Sequence, residues 1–169
     1  LITGASTGIG YDSTRLLIKN GFKVFATVRN EADKMKLSLN FGSNVIPLIL
    51  DITDSKSIET AKSIVENQLG DEVLVALVNN AGIAVSGPLQ FIEIEDVRHQ
   101  MEVNVIGTLL ITQTFLPFLG GKLPIINNPG KIINISSISG IFSTPFMGPY
   151  CMSKYAVESM SDILRRELS

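Results

Sequence analysis

The chain has no tryptophan, one cysteine (Cys151) and one histidine (His99) among its 169 residues. A lone cysteine excludes a disulfide framework and a cysteine-based metal site, and it suits a reducing compartment, so a cytoplasmic location is expected. A single histidine excludes a histidine-rich metal centre and leaves little room for a histidine triad; no metal is expected. Isolated in a polar helical segment, His99 reads as a solvated surface residue. An excess of one charge is missing too. Sixteen acidic and fourteen basic residues are interspersed, so there is no basic stripe for nucleic acid and no basic cluster for anionic lipid. Long hydrophobic runs are also absent, although 45% of the residues are hydrophobic. The longest apolar stretch, residues 103–119, is broken by Asn104, Thr108, Thr112, Gln113 and Pro117, which argues against a membrane span. No signal-peptide pattern opens the chain.

What is present is alternation. Short, continuously apolar runs predict strands ending at Thr3 and over residues 22–28, 45–50, 73–78 and 131–135. Helical periodicity predicts helices over 9–20, 31–39, 54–70, 95–116 and 150–168, with Gly21 and Gly70 closing two of them. Strands without polar alternation belong to a parallel sheet buried on both faces. Their alternation with helices implies βαβ units and an α/β fold: a doubly wound parallel sheet with helices on both faces, one domain over 1–169. The stretch 120–130 reads as an exposed connection. The abrupt first residues and the lack of a closing element suggest a piece of a longer chain.

In such a sheet, ligands bind beyond the carboxyl ends of the strands. The polar and glycine-rich segments fall there: Gly4–Gly10, Arg29, Asp51, Asn79–Gly82 and Ser136–Ser137 each follow a different strand. In TGASTGIG (residues 3–10), Gly4 allows a tight turn, Gly8 lets the backbone approach a pyrophosphate, and Gly10 permits close packing. Free N–H groups at the helix start bind the anion. Gly4, Ser6, Thr7, Gly8, Ile9 and Gly10 are therefore cofactor-binding candidates. No acidic residue ends the second strand, and Arg29 there suits a 2′-phosphate, which favours NADP(H) with NAD(H) as the alternative. Asp51, beside Ile52, is placed to accept from adenine or to cap the next helix.

Together, TGASTGIG, NNAG (79–82), Asn104 in EVNVIG, ISSISG (135–140) and YCMSK (150–154) resemble the short-chain dehydrogenase/reductase family. The resemblance implies a Rossmann-type fold and an oxidoreductase of CH–OH groups. It carries a catalytic set onto Asn104, Ser137, Tyr150 and Lys154, with Ser136 the weaker of the two adjacent serines. It adds Asn80, Ala81 and Gly82 to the cofactor side, with Tyr150 and Lys154 also touching cofactor. A free tyrosine, with a pKa of about 10, is a poor base near neutrality. An ammonium one helical turn away favours its phenolate. Tyr150 would then move the substrate proton, and Ser137 would hold the substrate oxygen. Asn104, a poor helix former, would interrupt its helix and anchor a water leading to Lys154, or simply pack.

YCMSKYAVESMSDILRREL looks closest to the retinol and hydroxysteroid dehydrogenase branch, implying an apolar alcohol, ketone or aldehyde. Ile141, Phe142, Pro145, Phe146 and Met147 would line its pocket or pack as an apolar loop. Cys151, Met152 and Ser153 read as packing residues. The family's chain continues beyond this length, so further substrate-pocket elements are expected outside it. Helices 95–116 and 150–168 correspond to the family's subunit interface, which implies a homodimer or homotetramer. A non-catalytic nucleotide-binding regulator on the same fold is the alternative.

Overall fold

The structure is a computed structural model that describes residues 1–120 and 129–168. Most of the expected connection 120–130 lies outside the described residues. In chain order the elements are α1 (Gly8–Lys19), β1 (Val24–Val28), α2 (Glu31–Phe41), β2 (Val45–Ile49), α3 (Ser55–Leu69), β3 (Ala76–Asn79), α4 (Ile94–Met101), a π-helical turn (Glu102–Gly107), α5 (Thr108–Phe115), β4 (Lys131–Asn134) and α6 (Gly148–Glu167).

β1 pairs with β2, and β3 with β4, all parallel. Residues 1–3 join the two pairs: Ile2 bridges Ala26 on one side and Val78 on the other. Its N–H donates to Phe25 O at 2.8 Å, and Val78 N–H donates to Leu1 O at 2.8 Å. The sheet order is therefore β2–β1–(1–3)–β3–β4. The chain moves outward one way from the centre and then the other, so a crevice opens at the carboxyl end of residues 1–3.

Two apolar clusters cover the two faces. One packs α3 and α5 against the sheet through Ile58, Val65, Ile111 and Phe115. The other packs α1 and α2 through Leu17, Ile18, Leu37 and Phe41. Every residue of β1 is buried, as a parallel strand between two helical layers requires. β4 departs from that pattern. Among the described residues it has a partner on one side only, and Ile133 is 46% exposed. Two strands also begin later than expected. Phe22 N–H closes α1 on Leu17 O, and Leu74 N–H bonds to Phe118 O, so both segments are drawn out of the ladder.

The largest difference lies in the predicted helix 95–116. It is four segments: α4, a π-helical turn over Glu102–Gly107, α5, and a 3-10 turn over Leu116–Leu119 that contains Pro117. The span Ile94–Leu119 is the one stretch among the described residues long and apolar enough to cross a membrane. In this fold it is a core element, with Gln100, Asn104, Ile111 and Phe115 all buried.

Candidate active site

The glycine loop is sewn to the strands on either side. Gly4 takes φ +67°, and Ala5 N–H donates to Thr27 O at 2.8 Å. From the other side, Asn80 Nδ2 donates to Thr3 O and Gly4 O at 2.9 and 3.0 Å. The Thr3 hydroxyl accepts from Asn80 N–H and Ala81 N–H, both at 3.0 Å. The Asn79 amide binds Thr112 and Asn134. The NNAG segment thus ties three strands and a helix together, as its amides promised.

α1 starts at Gly8 with no side-chain cap and no acidic residue in its first turn, so its first N–H groups are left for an anion. A Cβ on Gly8 would meet nothing within 4 Å. Uncapped amides beside open space fit a pyrophosphate.

A cleft of about 280 Å³ opens beside this loop at the carboxyl edge of the sheet. Gly4, Ser6 and Thr7 line it from the loop, Arg29, Asp51 and Ile52 from the ends of β1 and β2, and Asn80, Ala81 and Gly82 from the end of β3. Of the expected cofactor residues, Gly8, Ile9, Gly10, Tyr150 and Lys154 lie outside this cleft. His99 and Val103 enter it unannounced by the sequence. His99 is exposed as expected, but it borders this cleft rather than open surface alone.

Asp51 is not the cap of α3; Asp54 is, accepting from Lys56 N–H at 3.0 Å. Asp51 Oδ1 instead accepts from Thr53 N–H at 2.9 Å and from the Thr53 hydroxyl at 2.7 Å. These two bonds, the backbone one first, hold the carboxyl below its usual range. Partial burial opposes them, and Arg29 and His99 assist. Asp51 therefore keeps a carboxylate in the cleft, with Oδ2 free of any donor among the described residues.

The second group of side chains sits on α6, whose first turn carries Pro149. Lys154 is buried, and its Nζ donates to Ile135 O at 2.7 Å. The same Nζ lies 5.7 Å from the centre of the Tyr150 ring. Burial pushes the Lys154 ammonium below its ordinary value. An ammonium has three donors, so two remain beyond the one held by Ile135.

Ser137 is extended and half-buried, and its hydroxyl accepts from Ser139 N–H at 3.1 Å. No hydrogen bond joins Ser137 to Tyr150. Ser136 Oγ is buried without a partner among the described residues. It lines a groove along α6 rather than the cleft beside the glycine loop.

Asn104 occupies the π-helical turn, almost fully buried. Its Oδ1 accepts from Ile83 N–H at 2.9 Å, and its Nδ2 donates to Ile83 O and Ser153 Oγ, both at 3.0 Å. Its carbonyl accepts from the Thr108 hydroxyl at 2.9 Å. The helix is interrupted as expected, yet the amide is committed to protein partners rather than left to anchor a water. A Cβ on Gly82 would come within 3.2 Å of Asn104 Oδ1, so Gly82 makes room for this amide as well as for the cleft.

The apolar residues after Ser137 divide. Pro145 and Phe146 line a cavity of about 640 Å³ with Leu89, Cys151, Met152 and Tyr155; Ile141, Phe142 and Met147 do not. Around α6, Gly148, Cys151, Met152 and Tyr155 centre roughly 150° from Tyr150 at 3.6 residues per turn. That cavity therefore lies on the side of α6 turned away from Tyr150. Cys151 is buried, whereas Met152 is 45% exposed and only half a packing residue.

The short chain dehydrogenase family profile matches residues 1–169. The chain is 38% identical over 168 residues to the NADPH-dependent 3-dehydrocapnine reductase of Ornithobacterium rhinotracheale, covering 99% of this chain and 59% of that protein. It is also 38% identical to retinol dehydrogenase 16 of Mus musculus, covering 99% of this chain and 50% of that one. The chain thus spans only half to three-fifths of the length of these relatives. Among solved structures, it resembles a gluconate 5-dehydrogenase from Burkholderia cenocepacia in complex with NADP and tartrate. That match has a TM-score of 0.86 and 29% identity, covering 98% of this chain and 64% of that one. The chain belongs to the short-chain dehydrogenase family.

Proposed function

We propose that this short-chain dehydrogenase is an NADP(H)-dependent oxidoreductase that interconverts an alcohol and a carbonyl, with Tyr150 as the residue that moves the proton. The observation that carries this reading is the buried Lys154 ammonium beside the Tyr150 ring, at the same sheet edge as the nucleotide cleft. When bound, the nicotinamide supplies or accepts the hydride. The side chains of this chain do the rest. Tyr150 passes a proton to the substrate oxygen in reduction and takes it back in oxidation. Lys154 is held by Ile135 O and has two N–H groups left; its charge, in a poorly solvated place, favours the phenolate. Ser137 offers a hydroxyl donor where negative charge develops on the substrate oxygen.

At the other end, Arg29 pairs with a 2′-phosphate and Asp51 accepts from the adenine amino group. The α1 amides at Gly8 and Ile9 take the pyrophosphate. Gly10 serves by packing, and Asn80 by holding the loop. The NADPH-dependent reductase among the relatives and the NADP complex among the structural neighbours support the phosphorylated cofactor. An apolar substrate is supported by the exposed Ile138, Ile141 and Phe142 beside Ser137 and by the likeness to a retinol dehydrogenase.

The test is cofactor-coupled turnover of the complete protein over apolar ketones and aldehydes, with NADPH and with NADH. Tyr150→Phe should lower kcat at least ~10²-fold, in line with the loss of general acid–base catalysis, and leave NADPH affinity unchanged. Unchanged turnover would remove Tyr150 from the chemistry and favour a regulator that only binds nucleotide.

A further inference from the structure

We propose that Ser153 is a positioning residue for Tyr150, through a buried chain of hydrogen bonds that fixes the catalytic turn of α6 against the loop after β3. The proposal rests on the reading of Tyr150 given above. Ser153 is fully buried. Its hydroxyl donates to Tyr150 O at 2.7 Å and accepts from Asn104 Nδ2 at 3.0 Å and Gln100 Nε2 at 3.4 Å. A serine hydroxyl has one proton and two lone pairs, so every hydrogen-bonding capacity of this side chain is used.

The two amides are one helical turn apart, at i and i+4, and so share a face. Each also clamps the backbone that follows Gly82. Gln100 Oε1 accepts from Val85 N–H at 2.7 Å, and Gln100 Nε2 donates to Ile83 O at 3.0 Å. Asn104 holds Ile83 N–H and Ile83 O as described. A backbone N–H can only donate, so it fixes the carbonyl end of each amide. The NH₂ ends then have to point at Ser153. No amide rotation escapes this: a flipped Gln100 or Asn104 would set NH₂ against N–H.

Ser153 is thus the one acceptor on α6 that both amides require, and Tyr150 O is the group it positions. The connection runs from the loop that borders the nucleotide cleft, through Gln100 and Asn104, to the backbone of the proton-transfer residue. It sets the separation between cofactor and phenol without touching either. Removing the hydroxyl leaves two buried donors unpaired, which costs more than losing an ordinary bond. The loop and the helix are then free to settle at a different spacing, and small misplacements of reacting groups carry large rate penalties.

Ser153→Ala in the complete protein should lower kcat roughly 10- to 100-fold, the range expected for a misplacement of about 1 Å. NADPH Kd should stay within about threefold, since no cofactor contact is touched. Ser153→Thr, which restores donor and acceptor, should recover most of the lost kcat. Gln100→Leu removes one of the two donors; its kcat should fall in the same way, and combining it with Ser153→Ala should cost no more than Ser153→Ala alone, because both break one chain. Gln100→Leu alone, which leaves Ser153 in place, serves if Ser153→Ala folds poorly. Three outcomes would overturn the proposal: an unchanged kcat for Ser153→Ala, a loss of kcat matched by the loss of folded protein, or losses that multiply in the double variant. Tyr150→Phe measured alongside separates the two ideas. If Tyr150→Phe is inactive while Ser153→Ala is unaffected, only the positioning role fails; if Tyr150→Phe turns over normally, the reading beneath it fails.

Discussion

Gly8 and Gly10 are both glycines of the loop proposed to hold the pyrophosphate, and the structure gives them different reasons, so alanine at each should do different things. At Gly8 the backbone is left-handed, with φ +55°, and a Cβ would meet nothing within 4 Å. Alanine there strains the backbone by about 1–2 kcal/mol. For a chain of this size that lowers Tm by roughly 2–8 °C. The methyl would also stand in the open space over the α1 amides, where the pyrophosphate has to approach. At Gly10 the backbone is ordinary helix, and alanine would gain about 0.8–1.0 kcal/mol of helix propensity. Its Cβ, however, would overlap the Gly4 carbonyl oxygen and Asn80 Nδ2. The Gly4 oxygen is main chain and cannot rotate away, so overpacking of about 1–3 kcal/mol applies. The Asn80–Gly4 hydrogen bond at 3.0 Å is lost with it, for about 1 kcal/mol more. Net destabilisation by Gly10→Ala is then about 1–3 kcal/mol. Urea unfolding followed by circular dichroism reads stability, and NADPH titration reads the cleft. Gly8→Ala should weaken NADPH at least roughly tenfold, about 1.4 kcal/mol, with a stability loss limited to the roughly 1–2 kcal/mol of backbone strain. Gly10→Ala should lose both. A Gly10→Ala protein more stable than wild type, or a Gly8→Ala protein with unchanged NADPH affinity, would refute the reasoning.

Arg29→Ala should weaken NADPH by roughly 10- to 100-fold, as expected for loss of a charge-assisted phosphate contact. NADH should change by no more than about twofold, and equal losses for both cofactors would place Arg29 away from the 2′-phosphate. Lys154→Met tests the buried ammonium through pH. Because burial lowers the folded-state pKa of Lys154, the unfolded chain holds more protons at alkaline pH, and wild-type stability gains as pH rises from the folded value toward about 10.4. Below that window the buried charge is a constant penalty on the wild type alone. The stability of wild type relative to Lys154→Met should therefore increase between pH 7 and pH 10 in urea titrations, and a pH-independent difference would show that the ammonium is as well solvated folded as unfolded.

Which parts of this were legible in the sequence follows from how local their causes are. A strand buried between two helical layers has to be apolar throughout, so the runs at 24–28 and 45–49 announced themselves, and with them the sheet edge where ligands bind. Gly4, Arg29, Asp51 and Asn80 were then placed by topology alone. That Lys154 and Tyr150 share a helix face was legible because four residues along a helix is a fixed geometry; the roles proposed for them came from the resemblance. The rest depended on contacts between segments far apart in sequence. His99 and Gln100 are neighbours in a polar stretch, yet one is exposed at the nucleotide cleft and the other is fully buried. Nothing in VRHQMEVN distinguishes their environments, because burial there is decided by α6, which is about 50 residues away. The apolar loop 141–147 left two readings open for the same reason. Whether its residues line a pocket or pack depends on how Gly148 packs on Leu89, a contact across some 60 residues. One signal was available and carried more than it was given: Gln100 and Asn104, two amides four apart in a helix. A pair of amides on one face has four donors and two carbonyls to satisfy, which a core accepts only if it supplies backbone and hydroxyl partners. Those partners are Ile83, Val85 and Ser153, so a serine beside Lys154 was the missing half of a pattern already visible in residues 100–104.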